Sequence, residues 1–180
     1  MRLPYVPSPP PTTTLEEAAI VARVAARRHP RPLQALDLTL LHSPPIADGW
    51  NSFLGAVRTQ TTLADDVREI AICRVAVLNG AEYEWEHHAP LARKGGVGEE
   101  GMKVLGMEEA VGEASTGEGL GEKQWAVVRY TDAMTREVRV SDEVFAELRK
   151  HFDDREVVEI TATVGLESFS KTFLEFESGA

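Results

Sequence analysis

The apolar residues Leu63, Val67, Ile70, Ala71, Val75 and Leu78 recur at helical intervals, and Asn79-Gly80 then interrupts the pattern. The stretch Arg68–Val97, REIAICRVAVLNGAEYEWEHHAPLARKGGV, therefore predicts two helices joined at that dipeptide. The first helix carries one carboxylate, Glu69, in an otherwise apolar run. The second crowds Glu82, Glu84, Trp85, Glu86, His87 and His88 into seven positions. Any chemistry this chain performs is expected at this hairpin.

The flanking sequence predicts more helix and no strand. Residues 1–13 form an extended arm rich in proline, and residues 14–180 form a single domain. Thr14-Leu15-Glu16-Glu17 is a capping box that opens a helix ending before His29-Pro30. Further helices are expected at 33–42, 47–57, 81–94 and 98–107, with Thr62 capping the central apolar one. Residues 112–121 read as a glycine-rich surface loop, followed by helices at 122–136, 142–152 and 155–176. The fold class is all-α, and its short amphipathic helices point to assembly of several copies.

Composition bounds the partners. A formal net charge of −10 argues against non-specific binding to nucleic acid or an anionic membrane, both of which need a basic face. No apolar run is long enough to cross a bilayer. The single cysteine, Cys73, allows no intrachain disulfide and sits in an apolar helix as an inert thiol. The N-terminus has neither the apolar core of a signal peptide nor the arginines of a transit peptide, so a soluble, cytoplasmic protein is expected.

On a helix, Glu84 and His88 are one turn apart and share a face. A carboxylate beside an imidazole orients the ring, an arrangement suited to proton transfer near neutral pH. The same spacing also fits an ordinary exposed ion pair. Glu69 can complete the group if the hairpin closes with that side inward. Arg74 can pair with Glu69 or hold a substrate carboxylate. A single zinc site from Glu69, Glu84 and His88 is conceivable, but a di-iron site is not, because Glu84-x-x-His87 has no second copy. The expectation is therefore no metal and no cofactor.

REIAI, NGAEYEWEHH and ARKGGV together resemble the carboxymuconolactone decarboxylase family of the AhpD-like superfamily. Glu69 and His88 fall on that family's glutamate and histidine. Ala81 and Glu84 stand where its redox members have the Cys-x-x-Cys pair, so the chain resembles the cysteine-free branch. The upstream LLHSPPIADGWNSFLGAVR is similar to the same branch.

The resemblance implies an AhpD-like helical fold with the hairpin as active site, assembled as a trimer or hexamer. It implies cofactor-independent decarboxylation, or related lyase or isomerase chemistry, on a small organic acid or lactone. Loss of carbon dioxide would leave a dienolate to be stabilised and then protonated at carbon. His88 suits the proton transfer, with Glu69 and Glu84 beside it. Trp85, Trp50, His42 and Arg74 are the candidates to line the substrate site. Two other readings are a non-catalytic binding or scaffold protein on the same fold and an AhpD-like peroxidase, the latter lacking both thiols.

Overall fold

The structure, a computed structural model, describes residues 3–109, 111 and 119–174, and side chains as far as 170. Among the described residues there are nine α-helices and no strand. They are α1 (Leu15–Arg28), α2 (Ala35–Leu40), α3 (Pro44–Thr59), α4 (Asp65–Leu78), α5 (Glu82–Lys94), α6 (Glu99–Leu105), α7 (Glu122–Arg136), α8 (Asp142–Arg149) and α9 (Asp154–Leu174). Most of the expected 112–121 loop, and the last residues of the expected 155–176 helix, lie outside the described residues. Contacts group the chain into two compact units, one built on residues up to Gln60 and the other spanning Thr61–Lys171.

In the first unit α3 packs against α1 and α2. Thr14 caps α1 as expected, accepting from the Glu17 amide at 3.1 Å. Glu17 closes the box one residue early, on the amide and hydroxyl of Thr13 at 2.6 and 2.7 Å. Those two bonds hold its carboxyl below the usual range. Buried Asp37 accepts from both Arg28 and the Gln34 amide. The proline-rich arm is tied to its own chain where it passes α2: Val6 donates to the Leu38 carbonyl, and His42 Nε2 to that of Pro4 at 2.7 Å.

The second unit is organised around α4, which packs against α5, α6 and α7. Residues 69–76 of α4 are buried without a break, so this helix is covered on every side. Burial of Val67, Ile70, Ile72 and Val75 contributes roughly 1.5–3 kcal/mol each. That sum can offset the desolvation of the two charged side chains on the same helix, Glu69 and Arg74.

Two glycines bound α5, and the first aims it back along α4. Gly80, at φ +61°, donates to Val77 O while the Ala81 amide reaches Ala76 O, the paired bonds of a Schellman motif. Gly96, at φ +107°, closes α5 the same way through Arg93 O and the Val97–Ala92 bond. Both positions need a left-handed backbone that glycine adopts at no steric cost.

Thr62 does not cap α4. Its amide and hydroxyl both donate to Glu159 of α9, at 2.8 and 2.9 Å, and the helix starts at Asp65.

Arg74 is fully buried and its guanidinium is saturated. Nε and Nη2 donate to the two oxygens of Asp132, at 2.5 and 3.0 Å. Nη1 donates to the carbonyls of Leu105 and Met107, and Nη2 to that of Glu109. These five bonds use all five N–H groups that an arginine possesses. Asp132 also accepts from the Val111 amide at 2.7 Å. The pair thus locks α4, α7 and the chain leaving α6 together. Breaking such a pair strands a charge in the interior, so Asp132→Ala is expected to destabilise the second unit by about 3–5 kcal/mol. A denaturant titration should show that loss with the wild-type m-value.

Candidate active site

Glu69 lies on α4, 4% exposed, because the helix that carries it is packed on all sides. His88 lies on α5, which the Gly80 turn lays alongside α4. The two meet across the hairpin: Glu69 Oε2 is 2.6 Å from His88 Nδ1. An ionised carboxylate only accepts, so Nδ1 is the donor. The neutral ring is then the Nδ1–H tautomer, with the lone pair on Nε2.

Glu84, one turn before His88, stands on the other side of the ring, 3.6 Å from Nε2. That is an electrostatic neighbour, too long for a hydrogen bond. Helical spacing predicts Glu84 as the residue that holds the ring, with Glu69 assisting. In the structure the orienting bond belongs to Glu69. The three side chains are 5% (Glu69), 12% (His88) and 18% (Glu84) exposed, so the group is covered but open to solvent on the α5 side.

The neighbouring histidine differs in every respect. His87 is exposed, bonds back to the Tyr83 carbonyl at 2.7 Å and stacks on the Tyr83 ring, centroids 4.1 Å apart.

The expected substrate-lining residues divide. Trp85 is partly buried against the core of the second unit, near Gly106, which gives it a packing role. Arg74 is corrected: with every N–H committed it has nothing to offer a substrate, and its partner is Asp132 rather than Glu69. Trp50 and His42 belong to the first unit, Trp50 buried and His42 exposed on the Pro4 carbonyl. Ala81 is buried and Glu84 half-buried at the two positions that would carry thiols. Cys73 is fully buried. Among the described residues no three His, Cys, Asp or Glu side chains are arranged to hold a metal ion.

Arg68 joins the group without a local sequence pattern to mark it as part of the site. Its Nε donates to the second oxygen of Glu69 at 3.3 Å, and its Nη2 to Asp65 at 2.6 Å. The only sequence signal was the Asp65 spacing of three, which ordinarily marks a surface ion pair.

Comparison with known proteins places the hairpin inside one matched segment. Residues 44–115 match the model of the carboxymuconolactone decarboxylase family. The fold is shared with a crystal structure of a protein of unknown function from Agrobacterium tumefaciens, proposed to be the antioxidant defence protein AhpD. The two are 23% identical, with 76% of this chain and 91% of that one covered and a TM-score of 0.61. No curated protein matches the chain.

The short Nδ1–Glu69 bond should give His88 a ring N–H proton resonance far downfield in an NMR spectrum. Glu69→Gln is expected to abolish that resonance or shift it strongly, whereas Glu84→Gln leaves it in place.

Proposed function

We propose that this protein is a carboxymuconolactone decarboxylase-like enzyme acting without a cofactor on a small organic acid or lactone, with His88 as general acid–base. The observation that carries this reading is the 2.6 Å bond from His88 Nδ1 to buried Glu69, which leaves Nε2 as the proton-transferring atom. In a decarboxylation the bond to the leaving carboxylate breaks and its electrons enter an enolate as carbon dioxide departs. His88, having taken a proton on Nε2 from solvent, gives it to the carbanionic carbon and returns to the neutral ring. The imidazolium in between lies flanked by Glu69 and Glu84, one on each nitrogen, a favourable field for the transient positive charge. The active form is a homo-oligomer in this reading, as the family likeness implies.

An antioxidant reading has one specific support, the description given to the Agrobacterium tumefaciens protein of the same fold. A dithiol–disulfide cycle needs two thiols, and this chain has one cysteine, fully buried in α4. The non-catalytic scaffold reading predicts no turnover of any such substrate.

Carbon dioxide release from a panel of small keto acids and lactone carboxylates separates these possibilities. His88→Gln should lower turnover on the accepted substrate by on the order of 10²–10⁴ with helical content intact. His87→Gln, bonded to its own helix, should stay within about twofold of wild type, since a general-acid effect of this size cannot come from an exposed packed ring. Equal losses in the two variants would refute the assignment, as would peroxide reduction by the protein surviving Cys73→Ser.

A further inference from the structure

The buried carboxylate of Glu69 has a different donor on each oxygen. His88 Nδ1 occupies Oε2 at 2.6 Å and Arg68 Nε occupies Oε1 at 3.3 Å. We infer that Arg68 is a positioning residue: by engaging the far oxygen of Glu69 it keeps that side chain an acceptor toward His88, and so decides which imidazole nitrogen carries out proton transfer. The inference rests on the general acid–base reading of His88 given above.

The geometry separates this role from an ordinary surface ion pair. Along the row Asp65, Arg68 and Glu69, side-chain exposure falls from 74% through 17% to 5%. Arg68 therefore connects an acid in water to an acid in the interior. Its outer bond to Asp65, 2.6 Å and one turn back, fixes the guanidinium. Its inner bond then falls on Glu69, its immediate neighbour in sequence, whose side chain would otherwise point about 100° around the helix. A bond of this kind to Asp65 alone would matter little.

Removing the guanidinium leaves Oε1 a buried oxygen without a donor, which the interior tolerates poorly. The carboxyl group has a simple remedy: it takes up a proton or turns. A protonated Glu69 can donate to Nδ1, and the neutral ring then carries its hydrogen on Nε2, the reverse of the tautomer described above. Arg68 thereby acts on His88 through Glu69 without touching the ring. The charged groups placed around it are Asp65 and Glu69 on α4 and Glu84 and His88 on α5.

The test is the ring nitrogen spectrum of His88 in the full-length ¹⁵N-labelled protein, assigned by loss of its signals in His88→Gln and recorded where the ring is neutral. Wild type should show Nδ1 as the protonated nitrogen and Nε2 as the unprotonated one. Arg68→Met should move Nε2 upfield and Nδ1 downfield, toward the opposite tautomer, and Arg68→Lys should restore part of the wild-type pattern. Asp65→Asn, which frees the guanidinium without removing it, should give a smaller shift in the same direction and reports even if Arg68→Met does not fold. Glu69→Leu, which has no acceptor to offer Nδ1, separates the role of Arg68 from that of the Glu69–His88 bond. If it shifts the ring signals while Arg68→Met and Asp65→Asn leave them at wild type, Arg68 has no positioning role and the Glu69–His88 assignment stands. If Glu69→Leu also leaves them unchanged, the orienting bond itself is wrong and the proposed function loses its support.

Discussion

Five hydrogen bonds from one buried guanidinium decide how the second unit is put together. Arg74 meets Asp132 of α7 and three carbonyls of the chain that leaves α6, so α4 cannot rotate or slide without stranding a charge. A helix held in this way presents its other polar side chain at a fixed height and angle. Glu69 lies five residues before Arg74 on the same helix. The carboxylate that orients His88 is thus placed by an ion pair further along the same helix.

The second constraint is the turn. A Schellman motif at Gly80 directs α5 back along α4, and the first buried residue after it, Ala81, fixes the start of α5 against the core. From there one turn separates Glu84 from His88, and the ring projects toward α4, where Glu69 waits. His87, one position earlier, is carried round to solvent, where it stacks on Tyr83. Adjacent histidines therefore have opposite surroundings. One is set between two carboxylates, and the other is bonded to its own helix.

Local signals were legible in the sequence; partners far along the chain were not. The boundaries of α7 follow from helical periodicity and a glycine before it, and Ser141 caps α8 as its hydroxyl predicts. Thr62 carries the right side chain for a cap, yet it is spent on Glu159, 97 residues away, a contact no local pattern announces. Arg74 reads as a functional cation for the same reason, since Asp132 is 58 residues distant. Glu69 and His88 are singled out by their positions in the resembled motif and by the hairpin's spacing, and the structure brings the two side chains together. The choice between Glu69 and Glu84 as the orienting acid was beyond helical spacing. That spacing shows which residues share a face, but a difference of 2.6 against 3.6 Å is settled by how two helices pack. Arg68 was missed because a neighbour in sequence is not expected to reach back to Glu69.

The central claim is that Glu69 and His88 act as one unit in proton transfer, and a double-mutant cycle on turnover measures that directly. Residues that work through a single shared step show strongly non-additive effects. The account predicts that Glu69→Gln lowers the rate in the wild-type background and lowers it no further once His88 is glutamine. Losses that simply multiply in the double mutant would show that the two side chains act independently, and would contradict the account.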